Sequence, residues 1–128
     1  MNNKKTTLAL FAMVLGTFLM QGCTIYWSGS IDNKSGMNIS VSGDDANKTT
    51  WKINTDETVE ITWKFKCLEI SEGGDAYFFD AQNTPKGALR MEGITYTVYT
   101  LYREHQLYYQ LEDGKVQALP KLESCPAA

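Results

Sequence analysis

The stretch Val59-Glu60-Ile61-Thr62-Trp63-Lys64-Phe65-Lys66-Cys67 sets the reading of this chain. Apolar residues occupy every odd position and polar or charged residues every even one. Successive side chains of a strand point to opposite faces, so this alternation predicts a strand with one buried and one wetted face. It places Cys67 on the buried side. Shorter alternations surround it, with Ile39 and Val41 before it and Trp51 and Ile53 between. No segment after residue 23 longer than ten residues carries apolar residues at helical spacing.

Turn signals separate these runs. They are Asp32–Gly36, Ser42–Asn47, Asn54–Asp56, Glu72–Asp75, Asn83–Gly87 and Asp113-Gly114. Asp-Gly has the chemistry of a two-residue hairpin, whose central positions need positive φ. It is expected to pair Leu107–Leu111 with Lys115–Leu119. Turns about every ten residues predict an all-β fold, a small antiparallel β-sandwich or barrel. Ile94–Arg103 is apolar on both faces, with Tyr96, Val98 and Tyr102 on one and Tyr99 and Leu101 on the other. It reads either as a central strand covered on both sides or as a strand whose second face meets a partner. Leu107–Leu111 has the same character.

The first 23 residues differ from all of this. Met1–Thr7 is polar with Lys4 and Lys5, and Leu8–Met20 is apolar apart from Gly16 and Thr17. A charged start and an apolar stretch of 13 residues form an export signal, too short to span a bilayer as a helix. Leu19-Met20-Gln21-Gly22-Cys23 resembles the lipobox of bacterial lipoproteins, with an apolar residue upstream and a small residue just before the cysteine. The resemblance covers residues 1–23 only. It implies that residues 1–22 are removed; the remaining residues 23–128 are enough for one modest core, and so are expected to form a single β domain. Cys23 then carries covalent diacylglyceryl and acyl groups, palmitate among them, and no other cofactor is expected. Several acyl chains hold a protein stably in a bilayer where one does so only marginally. Thr24 stands where Asp favours inner-membrane retention in enteric bacteria, so the resemblance implies the outer membrane, facing the periplasm.

In that oxidising compartment, the remaining even pair, Cys67 and Cys125, is expected to form a disulfide. With a single histidine and no Cys-x-x-Cys spacing, the cysteines do not suggest zinc. Asp44, Asp45 and Asn47 lack the spacing of a calcium loop, so no metal site is expected. Almost no linker follows Cys23. Ile25, Tyr26 and Trp27 read either as the first core strand or as aromatics at headgroup depth.

Two of the 12 basic residues precede Cys23, leaving 10 against 15 acidic ones, and no basic run exists. Nucleic acid is therefore not an expected partner. The single histidine, His105, lies in the polar loop Arg103–Gln106 and reads as a solvated turn residue. No nucleophile elbow, phosphate-cradling loop or metal motif appears, and the chain is not expected to be an enzyme. Three adjacent aromatics, Tyr77, Phe78 and Phe79, cannot share one face of a strand. Either the strand is packed on both faces or one ring is available to a partner. With Tyr99, Tyr108 and Tyr109 they form the candidate binding surface.

The expected role is that of a non-enzymatic binding or accessory protein of the cell envelope, acting on an envelope protein. Two sharper forms are open. One is a phage or plasmid exclusion lipoprotein that blocks a receptor or DNA entry. The other is a lysozyme-type inhibitor. Size and a late cysteine resemble lipid-anchored inhibitors of that kind, but their Ser-Gly-x-x-Tyr segment is absent.

Overall fold

A computed structural model of the chain describes residues 26–126. The export signal and Cys23 lie outside the described residues. Eleven strands run in the order β1 Tyr26–Asn33, β2 Ile39–Gly43, β3 Thr50–Ile53, β4 Thr58–Thr62, β5 Cys67–Glu72, β6 Asp75–Asp80, β7 Leu89–Glu92, β8 Thr95–Arg103, β9 Gln106–Gln110, β10 Val116–Ala118 and β11 Lys121–Leu122. They form two sheets. Sheet A has the order β10-β9-β8-β1-β4, with β7 also on β8, and sheet B the order β11-β6-β5-β2-β3. The fold is the expected all-β sandwich. Its pairings are antiparallel except for β1 with β8, which run parallel from Tyr26↔Thr95 to Asn33↔Tyr102. One edge of β8 holds β1. The other is shared by β7 over Thr95–Val98 and β9 over Thr100–Arg103.

The run Val59–Cys67 is not one strand. It leaves sheet A at Thr62 and enters sheet B at Cys67. Alternation survives the crossing because Trp63 and Phe65, each 7% exposed, still point between the sheets. Trp63 lies on Gly29 of β1, where any Cβ would collide with its ring, and meets Tyr109 edge-on at 6.3 Å. Phe65 lies on Gly43 of β2 in the same way and meets Trp51 at 5.8 Å. One crossing segment thus pins both layers, and each ring takes the space of a missing side chain.

The phase slips beyond the crossing. Leu68 and Ile70 continue the inward row, which puts Cys67 on the outward row beside Glu69. Cys67 is fully buried as expected, but outside the core cluster, and it is bonded to Cys125. The core joins Ile31, Val98, Tyr102, Leu107 and Tyr109 of sheet A to Val41, Ile53, Leu68, Ile70 and Phe79 of sheet B. Each such side chain contributes about 1.5–3 kcal/mol on burial. Asn33, also buried, ties the layers by donating from Nδ2 to the carbonyls of Met37 (2.7 Å), Ile53 and Asn54 (both 3.2 Å).

The hairpins are distributed differently from expectation. Only Gly114 of the Asp113-Gly114 pair has positive φ, and Leu111 N–H donates to Lys115 O at 2.9 Å. The loop is therefore three residues long with glycine in the left-handed position, a common hairpin alternative. Two-residue turns join β5 to β6 at Gly73-Gly74, β7 to β8 at Gly93-Ile94 and, without any glycine, β8 to β9 at Glu104-His105, with φ 50° and 61°.

Candidate functional site

The outer face of sheet A is built from alternate residues of its strands. Tyr99, Leu101 and Arg103 of β8 point outward, because Val98, Thr100 and Tyr102 fill the core. Register sets Tyr108 of β9 beside Leu101, and Ala118 of β10 beside Tyr108. Val116, 39% exposed, continues the row. The rings are half-covered by arginines. The Arg90 guanidinium lies 4.1 Å from the centre of the Tyr99 ring, and that of Arg103 lies 5.3 Å from Tyr108. Cations are held over aromatic faces by the ring quadrupole. Tyr99 donates to Glu92 at 2.9 Å, which with desolvation pushes its phenol above the usual range.

Two shallow grooves flank this row. One is bounded by Ser30, Glu60, Thr97 and Tyr99, the other by Asp32, Lys34, Leu101, Arg103 and Val116. In the second, Asp32 Oδ1 has no hydrogen-bond partner, and Lys34 Nζ stands 3.8 Å away. The face thus offers aromatic surface and cations.

The six residues expected to form a binding surface do not come together. Tyr99 and Tyr108 share the outer face of sheet A. Phe78 is half-buried on the outward row of sheet B, beside Glu69. Phe79 and Tyr109, at 0% and 1% exposure, are core residues and form no part of a surface. The inward rows of β6 and β9 claim them. Tyr77 is on the same row as Phe79 but at its end, where it stacks on His105 at 4.9 Å. The strand β8 lies inside sheet A, with β1 on one edge and β7 and β9 on the other. On the outer face Tyr99 lies under Arg90 of β7, and Arg103 of β8 reaches across to Tyr108 of β9.

His105 is a turn residue, as expected, but its ring is not merely solvated. Its Nδ1 lies 2.9 Å from Glu72 Oε2, to which Tyr102 also donates at 2.7 Å. Glu72 is only 5% exposed and stands on sheet B, while Tyr102 and His105 belong to sheet A. The cluster is a polar clasp between the layers. Its signal in the sequence is the inward row Leu68, Ile70, Glu72, in which a carboxylate takes an apolar place. Burial, and then the bonded carboxylate, push the Tyr102 phenol far above its usual range. A phenol raised this way keeps its full stabilising contribution below the unfolded value near pH 10 and loses it as pH climbs toward the folded value. Tyr102→Phe is expected to cost about 1.5–3 kcal/mol at neutral pH, the range for a hydrogen bond to a charged group. It should also flatten the fall in stability above about pH 10, the free tyrosine value. Urea unfolding at pH 7 and pH 11 checks both.

Among the described residues no three His, Cys, Asp or Glu side chains are grouped to hold a metal ion. No protein-family model matches the chain, and neither a curated protein nor a solved structure shows significant similarity to it.

Proposed function

We propose that this protein is a lipid-anchored envelope protein of the bacterial outer membrane, facing the periplasm, and that it binds an envelope protein without turning over a substrate. The observation that carries the binding role is the outward row Tyr99, Leu101, Tyr108 and Val116 under Arg90 and Arg103. Tyrosine and arginine are the side chains that dominate interface energetics when a partner desolvates them. The anchoring role is supported by the lipobox at residues 19–23 and by the first strand beginning only three residues after Cys23.

The test pairs two measurements. A photo-reactive side chain at Tyr108 should cross-link one envelope protein, and the same group at the exposed Lys52 of sheet B should not. Tyr108→Ala should weaken that complex about tenfold or more, the mark of an interface residue worth upward of 1.4 kcal/mol. Identical cross-links from both positions would remove outer face A from the role. Labelled palmitate should enter the wild type and not Cys23→Ala. If neither takes up label, the anchor is wrong. Phage or plasmid exclusion and lysozyme inhibition are two particular forms of the binding role. Resistance of expressing cells to one phage or plasmid distinguishes the first, and slowed lysozyme the second.

A further inference from the structure

Beside the outer face, one end of sheet A carries a second apolar surface. Tyr26, Trp27, Met91 and Ile94 are 58%, 44%, 59% and 64% exposed. They are four of the six strongly exposed large apolar side chains among the described residues, the others being Met37 and Val116. Register brings these four to one end. Tyr26 pairs with Thr95, its N–H reaches Ile94 O at 3.4 Å, and Met91 stands opposite Tyr96. Trp27 stacks on Tyr96 at 5.2 Å. The strand β4 ends here too, where Trp63 N–H donates to Trp27 O and exposed Lys64 shares a groove with Trp27.

The placement of these side chains is unusual. Trp27 stands in the inward row of β1 with Gly29 and Ile31, Tyr96 in that of β8 with Val98, and Met91 in that of β7 with Leu89. They are core-type residues in core-facing positions, at an end of the sandwich that sheet B does not cover. The hairpin tip Gly93-Ile94 projects the most exposed of the four beside them.

We propose that this end is the protein's seat on the lipid bilayer, with Tyr26, Trp27, Met91, Ile94 and Tyr96 at headgroup depth. The inference rests on the lipid anchor proposed above, and the chain length commits the occupant. In the processed protein only Cys23, Thr24 and Ile25 precede Tyr26. Three peptide steps reach about 10–11 Å when fully extended. An acylated Cys23 therefore holds this end, and no other, within a headgroup layer's distance of the hydrocarbon. Tryptophan and tyrosine are favoured in that layer, and a lysine such as Lys64 extends its ammonium to the phosphates.

The test uses the lipidated protein purified from membranes and reconstituted into phosphatidylcholine–phosphatidylglycerol vesicles, with lipids brominated near the headgroup. The chain has three tryptophans. Quenching of about one third of the emission is expected, because only Trp27 would sit at headgroup depth. Trp27→Phe should remove nearly all of it. Ile94→Asp, a change at an exposed turn, should cut it to about half or less by lifting the tip from the interface. Protein that floats with the vesicles but is not quenched overturns the seat while leaving the anchor intact. The uncovered end would then belong to a protein, a second copy included. Protein that lacks the lipid mass and does not float overturns the anchor, and the seat with it.

Discussion

Trp63→Ala is expected to destabilise the domain by about 3–5 kcal/mol, the range for removing a large aromatic from a packed core. Three losses combine at this position. The ring lies directly against Gly29, so its removal leaves a void against bare backbone of β1. Its edge contact with Tyr109 joins the crossing segment to β9. Its Nε1 donates to Thr84 Oγ1 at 3.2 Å and tethers the loop that follows β6. Trp63→Phe keeps most of the volume and loses the hydrogen bond, so a cost of about 1–2 kcal/mol is expected. Gly29→Val approaches the same contact from the other side and should be as damaging as Trp63→Ala. The ring must move, yet the segment carrying it is tied at both ends to different sheets. Urea unfolding followed by circular dichroism, which survives loss of an indole, checks all three. If Trp63→Ala costs less than Trp63→Phe, the crossing is not the pin proposed for it.

The crossing also shows why part of this fold was legible in the sequence and part was not. Alternation reports which side chains are buried, and Ile61, Trp63 and Phe65 are buried as expected. It does not report which backbone accepts the hydrogen bonds. A strand that changes sheets keeps its period while it changes partners, so Val59–Cys67 reads as one element. The phase slip at Cys67 follows from the same crossing. The parallel pairing of β1 with β8 joins residues about seventy apart and leaves no local trace. The turn at Glu104-His105 carries none of the glycine that marks such turns, and its geometry is held by Glu72 across the sandwich. The proposed binding face was legible only where outward residues carry rings. Tyr99 and Tyr108 belong to it, but nothing in a triplet of aromatics tells that Phe79 is core. Arg90 and Arg103 were invisible because the rings they cover are set by strand register. Neighbours across a sheet are fixed by pairing, and pairing here depends on the whole order of strands.

Removing the disulfide, by Cys67→Ala with Cys125→Ala, is expected to cost about 4 kcal/mol in the chain-entropy view, given the separation of 58 residues. Stabilities of 5–15 kcal/mol are usual for domains, so this is a large share of the total. What else holds the tail is slight. The strand β11 contributes two pairs, Lys121↔Phe79 and Leu122↔Phe78, and Asp80 N–H donates to Pro120 O at 2.9 Å. Leu119, buried at 1%, is the last core residue before the tail. Two outcomes are distinguishable. If the bond stabilises the whole domain, the midpoint of denaturant unfolding falls and the amides of β5 and β8 exchange faster together. If it fastens only the tail, the midpoint hardly moves, and the Asp80 amide alone loses protection. The first is expected. The bond joins the first residue of β5, buried on the outward row, to Cys125 near the end of the described residues, and so restricts more than half of the unfolded domain. A fold that draws this much stability from one oxidised pair is weak in a reducing cytoplasm and firm in an oxidising periplasm. That ordering suits the proposed export route, in which the precursor stays unfolded until it has crossed the membrane. On the proposed export route, the same double variant, expressed with residues 1–22, should reach the envelope normally and be degraded there faster than the wild type.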